Sequence, residues 1–181
     1  MEYLDIVDEQ GQPTGEIISR TLAHTEGIRH RTAHIWIVRR ENEHFQVLMQ
    51  KRAMSKDSFP GKYDTSSAGH IQAGDEPLAS GLRELAEELG IHAKPEDLAF
   101  AGCIHGNFAE EFHGKIFRDN EIAFVYVYQQ PVNIETLVLQ KEEVESVRWF
   151  DLEETYQNCQ NRNTQFCAPV PGLEVVRRYL Y

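Results

Sequence analysis

Residues 69–91, GHIQAGDEPLASGLRELAEELGI, constrain this chain more than any other stretch. Proline suits the first turn of a helix, where its missing N–H has no intrahelical partner, and glycine readily adopts the left-handed residue that ends one. Pro77 and Gly90 therefore bracket a helix over Pro77–Leu89. On that helix Leu78, Leu82, Leu85 and Leu89 recur at i, i+4, i+7 and i+11, an apolar stripe suited to a core. Glu84, Glu87 and Glu88 recur at i, i+3 and i+4 and share a face of their own. Like charges at this spacing weaken an isolated helix. A hard cation such as Mg2+, which takes oxygen ligands, turns the repulsion into coordination. A solvated acidic face has the same spacing, so the flanking residues must decide between the two.

Along the rest of the chain, residues 3–7 alternate as a strand, DEQGQPTG turns, and residues 16–18 pair back as a hairpin. Segments 32–39 and 45–49 read as a second hairpin. Residues 50–64 read as a Pro-Gly loop carrying Lys51, Arg52, Lys56 and Lys62. That basic patch is solubilising surface by itself, and a candidate phosphate clamp if it faces the carboxylate helix. After the helix come strands over 98–104 and 115–128, with a polar loop at 105–114. Short strands follow at 136–139 and 144–150. A helix begins at 151, residues 157–171 read as a polar loop, and a helix covers 172–181. Strands on both sides of one main helix indicate an α/β or α+β fold with a mixed sheet. The expected organisation is one domain, residues 1–181: an N-terminal hairpin extension (1–29), a core (30–156), and a polar loop with a C-terminal helix (157–181).

Composition narrows the function classes. The net charge of −11 opposes a polyanion-binding surface, because nucleic-acid domains present a basic stripe. It leaves room for a small phosphorylated substrate bridged to carboxylates by metal ions. Nothing approaches a membrane span, and the acidic start MEYLDIVDEQ lacks the order of a signal peptide. The three cysteines are an odd number without CxxC spacing, which indicates neither a disulfide framework nor a zinc knuckle. A reducing cytoplasm is the expected compartment. Cys103, inside an apolar strand, reads as a buried small hydrophobe.

The spacing from Gly69 through Asp75 to Arg83-Glu84-Leu85-Ala86-Glu87-Glu88-Leu89-Gly90-Ile91 resembles the Nudix box: G, five residues, E, seven residues, R-E-U-x-E-E-x-G-U, with U aliphatic. One fixed position departs, since Asp75 stands where the box has Glu. The resemblance implies an α/β/α sandwich with a mixed sheet and a catalytic strand-loop-helix element. It implies hydrolysis of a diphosphate linked to another moiety, using Mg2+ or Mn2+. Glu84, Glu87 and Glu88 would be metal ligands, the Gly69 carbonyl a further one, and Arg83 would orient a box carboxylate. Asp75 is one methylene shorter than Glu, which puts its reach to Arg83 in doubt. Glu142 and Glu143, ahead of a strand, match loop acids that serve as base or extra ligand in such hydrolases; as residues alone they equally read as a solvated turn. One of Glu84, Glu87, Glu142 or Glu143 would be the base.

Residues 3–91 also resemble isopentenyl diphosphate isomerases, a branch of the same superfamily. The shared pieces are the PTG turn at 13–15, Arg20 before Ala23-His24, His30, the loop RAMSK at 52–56, FPG at 59–61 and Gly69-His70; later, Asp119-Asn120-Glu121 matches an acidic pair. That resemblance implies a second metal site at His24, His30, His70, Asp119 and Glu121. It also implies that Arg20, Arg52 and Lys56 grip a diphosphate. Against isomerase chemistry, the residue before Gly69 is Ala68 where those enzymes have a catalytic cysteine, and alanine has no proton to give an alkene. A non-catalytic nucleotide sensor is a further alternative, opposed by the intact glutamates. His34, His44, His92, His105 and His113 read as structural or surface. The expected partner is a small diphosphate, which the sequence leaves unnamed. Specificity is expected from residues 106–114 and from 157 onward, with Phe108, Phe112 and Phe166 as candidates for base stacking or for core packing. Dimers are common among such enzymes.

Overall fold

A computed structural model describes residues 1–181. The chain opens with strands β1 (Tyr3–Val7) and β2 (Pro13–Ser19), paired antiparallel with Tyr3 opposite Ser19. Ser19 then caps helix α1 (Arg20–Glu26), its hydroxyl accepting from the Leu22 N–H at 3.3 Å. Serine is favoured there because its oxygen satisfies a donor that has no partner within the helix. Gly27, at φ 72°, ends the helix in the left-handed conformation that suits glycine. This short capped helix aims His24 inward, where it is buried.

The main sheet has seven strands: β3 (His30–Glu41), β4 (His44–Arg52), β5 (Tyr63–Asp64), β6 (Ser67–His70), β7 (Leu98–Phe112), β8 (Lys115–Tyr128) and β9 (Val144–Asp151). β3 and β8 run parallel, and every other pairing is antiparallel. The run Ile35-Trp36-Ile37-Val38 in β3 has no exposed side chain, as expected of a strand covered on both faces. Ile35 and Ile37 pack with Leu85 and Leu89 of helix α2 (Pro77–Leu89). Trp36 and Val38 pack with Leu152 and Tyr156 of helix α3 (Leu152–Gln160) and with Leu173 and Val176 of helix α4 (Val170–Leu180). The mixed sheet is thus sandwiched between helices, the expected α/β/α architecture. No helix is long and apolar enough to cross a membrane.

The sheet splits beside α2. β3 pairs with β4 only over 38–41, while its residues 32–35 pair with β6. At the fork Ser66 repairs the ladder: its hydroxyl accepts from the Ile37 N–H at 2.8 Å and donates to the Leu48 carbonyl. Buried backbone groups without partners are costly, so a small hydroxyl residue is well placed where two strands diverge. β6 and the loop after it then run directly under α2.

Several sequence expectations are corrected. Residues 105–114 are not a loop: β7 and β8 continue as one long hairpin with Phe112 opposite Lys115. Residues 136–139 are not a strand; a 3-10 turn at Ile134–Thr136 leads into a segment that crosses the end of α2, with the Val138 N–H donating to the Leu89 carbonyl. Leu137 and Leu139 face the core and Val138 faces solvent, which imitates strand alternation without pairing. The 50–64 loop loses both ends to β4 and β5. Cys103 is exposed on β7, not buried.

Candidate functional site

The box carboxylates are placed by β6 and α2 together. Gly69 lies so close beneath Glu84 that a Cβ there would come within 2.1 Å of the Glu84 carboxyl carbon. Arg83 gathers the neighbouring groups: Nη1 lies 2.7 Å from Glu84 Oε1 and 3.3 Å from Glu87 Oε2, while Nη2 donates to the His70 carbonyl at 3.0 Å. Its Nε is buried without a partner, and Asp75, on the exposed loop, makes no hydrogen bond to it. Glu88 is the most enclosed of the three, 4% exposed. Its Oε2 accepts from Ser67 Oγ at 2.7 Å, Gln50 Nε2 at 3.1 Å and the Ala68 N–H at 3.2 Å. Burial pushes the Glu84 and Glu88 carboxyls up to about 7, against the pull of Arg83 on the first and of Ser67 on the second. Buried acids strained towards neutrality beside one another suit oxygen ligation of a hard cation.

A second cluster adjoins the first through His70, whose carbonyl Arg83 holds. His24 Nε2 and His70 Nε2 lie 3.0 Å apart, and ligand atoms of His24, His30 and His70 all fall within 4.8 Å of one another. A second such group joins His30 to Asp119 and Glu121. His30 Nε2 and Asp119 Oδ1, 3.6 Å apart, are both buried without a hydrogen-bond partner. Burial lowers the His24 ring to about 4, helped by His30, and lowers His30 and His70 as well. Neutral imidazoles are the ligating form. The orphaned nitrogen and oxygen therefore fit a bound divalent ion. Backbone carbonyls orient two of the rings: His30 Nδ1 lies 2.9 Å from the Ile28 carbonyl, and His24 Nδ1 lies 3.2 Å from that of Arg118.

Both clusters border one cleft of about 720 Å³, with His30 buried behind its lining. Its basic side chains are already engaged. Arg20 pairs with Asp57 at 3.2 Å, Arg52 with Asp64 at 3.0 Å, and Lys56 with Glu143. Arg52 also donates to the Ser58 carbonyl and hydroxyl, pinning its own loop. Glu142, also on the cleft, has no partner for its carboxylate; only its backbone carbonyl is held, by Ser55. Phe59, Phe108 and Phe117 form an aromatic wall, and Phe117 stacks on His24 at 4.2 Å. Phe112 packs on Phe59 at 4.7 Å, and Phe166 packs on Tyr63 and Phe150 beside the core, away from the cleft.

Sequence reasoning missed His34, Gln50 and Ser67. His34 is buried on the cleft floor with Nε2 3.4 Å from Glu121 Oε1. Burial opposes its charge, but Glu121 outweighs burial and raises the ring above its ordinary range. Strand parity was an available signal, since His30, Thr32 and His34 alternate onto one face of β3. Of the other histidines, His44 and His92 are exposed, His105 lies on the cleft rim, and His113 contacts the Lys56 carbonyl at 3.0 Å.

Residues 28–166 match the NUDIX domain family. The chain belongs to the Nudix family. Its members are hydrolases of pyrophosphate bonds and generally use divalent metals. An uncharacterized Nudix hydrolase of Clostridium acetobutylicum is 40% identical over 161 residues, which are 89% of this chain and 75% of that protein. Nudix hydrolase 3 of Arabidopsis thaliana is 40% identical over 159 residues, 87% of this chain but only 20% of that longer protein. Among solved structures, a Deinococcus radiodurans protein superposes with a TM-score of 0.68 at 19% identity, covering 98% of this chain and 99% of the other. The NUDIX domain of Shewanella oneidensis NrtR, complexed with ADP ribose, superposes at 0.59 and 14% identity, covering 91% and 100%. These structural likenesses concern the Nudix fold.

Proposed function

We propose that this Nudix protein hydrolyses a small organic diphosphate, nucleoside-linked or otherwise, with Mg2+ or Mn2+ held by Glu84, Glu87, Glu88 and the Gly69 carbonyl. The observation that carries the reading is the convergence of the three glutamates on one rim of a cleft whose cations are all neutralised. A diphosphate entering that cleft needs positive charge that the side chains alone do not leave free. Divalent ions held by Glu84, Glu87 and Glu88 would supply it, neutralising phosphoryl oxygens and making water a better nucleophile. Glu142, unpaired on the cleft, accepts the proton of the attacking water. Lys56 and Arg20 keep Glu143 and Asp57 as partners and reach phosphate oxygens with their remaining N–H donors. Arg83 keeps Glu84 and Glu87 aligned.

The test is a panel of nucleotide and non-nucleotide diphosphates with Mg2+ or Mn2+, run in 18O-labelled water. Release of labelled phosphate or phosphomonoester is expected; no turnover on any member of the panel overturns the reading. Deuterium uptake from D2O into an alkenyl diphosphate without phosphate release would favour isomerase chemistry instead. Ala68 opposes that outcome, since it offers no proton to the cleft it lines.

The second cluster supports a second divalent site, formed by His24, His30, His70, Asp119 and Glu121. The reason is the pair of orphaned atoms, His30 Nε2 and Asp119 Oδ1. Nitrogen-rich ligation suits Zn2+ or Fe2+ over Mg2+. Protein purified without chelator is expected to retain such a metal, and His30→Asn to lose at least about 10-fold in affinity for it. Equal metal content in the two proteins contradicts the assignment.

A further inference from the structure

We infer that Gln50 is a positioning residue for Glu88, fixing which of the two carboxylate oxygens remains free to ligate a divalent cation. The inference rests on the metal reading of Glu84, Glu87 and Glu88 above.

Gln50 lies on β4 and is 4% exposed. A buried amide is costly unless paired, and this one has two acceptors before its nitrogen. Nε2 donates to Glu88 Oε2 at 3.1 Å and to the Ser66 carbonyl at 3.4 Å. Two acceptors facing one end of the amide set its orientation, because the flipped amide would turn its oxygen towards them. Ser67 Oγ and the Ala68 N–H donate to the same Glu88 oxygen. Oε2 is therefore occupied by three donors, and no hydrogen bond reaches Oε1. The carboxylate is left to ligate through Oε1 alone.

The fork in the sheet makes this arrangement accessible. β3 and β4 diverge around Ser66, and Gln50 on β4 and Ser67 on β6 both reach Glu88 there. Of these donors only Gln50 comes from outside the β6–α2 element, so it ties the carboxylate to the main sheet. Glu84 and Glu87 are held differently, by the charged Arg83. Neutral donors fix Glu88 without cancelling the charge that a cation needs. Without Gln50 only Ser67 and Ala68, both on β6, still donate to Oε2, and the carboxylate loses its one tie to β4.

The test compares Mn2+ binding, by calorimetry and by the electron paramagnetic resonance signal of free Mn2+, in the wild-type chain and in Gln50→Leu. The expected result is an affinity weaker by about 10- to 100-fold, the size typical of losing an outer-shell partner. At saturating Mn2+ the kcat should stay within about 3-fold of wild type, since the lost contact acts on binding of the ion and not on the chemical step. Ser67→Ala removes a hydroxyl from the same oxygen and carries the same expectation, which keeps the test available if Gln50→Leu folds poorly. Unchanged Mn2+ affinity in both variants overturns the inference. So does a loss of kcat that no Mn2+ concentration restores. Failure of the wild-type chain itself to bind Mn2+ would overturn the metal reading along with it, and the two failures are thereby distinguished.

Discussion

Glu88→Gln should abolish turnover and, in metal-free protein above pH 7, raise stability. Loss of activity by at least about 1,000-fold, or more than 4 kcal/mol in the barrier, is expected for removal of a ligand charge facing the phosphoryl group. The gain in stability follows from burial. Glu88 titrates at about 7 in the folded chain against an ordinary 4.5. Below the ordinary value it is protonated in both states and costs nothing. As pH rises through the interval, the folded state holds a proton that the unfolded state has released, so stability is lost with rising pH and the loss is complete above about 7. Full ionisation of so enclosed a group costs up to about 3 kcal/mol. A glutamine has no such titration, and its amide oxygen still accepts from Ser67, Ala68 and Gln50. The melting temperature of the variant should therefore exceed that of the metal-free wild type at pH 8 by several degrees, with the gap closing towards pH 5. Mg2+ should raise only the wild type. Thermal melts at the two pH values with and without EDTA check this. A variant that melts well below wild type at pH 8, or that still turns over, contradicts the assignment.

Gly69→Ala should be as damaging to activity through a different cause. Gly69 has an ordinary backbone, so glycine is needed for space and not for conformation. The added methyl would sit 2.1 Å from the Glu84 carboxyl carbon, a collision that the Glu84 side chain relieves by swinging aside. Glu84 must leave its place against β6, and with it goes the alignment from Arg83. An activity loss of at least about 100-fold is expected, with about 1 kcal/mol of destabilisation as Glu84 loses its pairing with Arg83. A double-mutant cycle separates this from a general backbone effect. In a Glu84→Ala background, which clears the side chain, Gly69→Ala should cost less than about 0.5 kcal/mol by urea denaturation. A stability cost equal in both backgrounds would show that the methyl meets something other than Glu84.

The places where sequence reading failed share a physical cause. The distal part of the β7–β8 hairpin is polar and largely exposed, so no alternation marks it. It exists because backbone ladders need only partners, and β8 supplies them to Phe112. Residues 137–139 alternate like a strand because Leu137 and Leu139 seek the core, yet they cap the end of α2 and pair with nothing. Cys103 sits on the uncovered side of an edge strand, a position its apolar neighbours conceal.

The sequence by itself determined the α2 helix, its bounding Pro77 and Gly90, the shared face of Glu84, Glu87 and Glu88, and the Nudix family. These rest on short-range periodicity and fixed spacing, which survive any tertiary arrangement. Only the tertiary structure decided how each group is held. It paired Arg20, Arg52 and Lys56 with carboxylates, left Glu142 free where Glu143 is engaged, and drew His24, His30 and His70 to Asp119 and Glu121. It also brought Gln50 and Ser67 to one oxygen of Glu88. Such contacts depend on strand register and on a fork in the sheet, which bring together residues far apart in the chain. No local pattern encodes those distances.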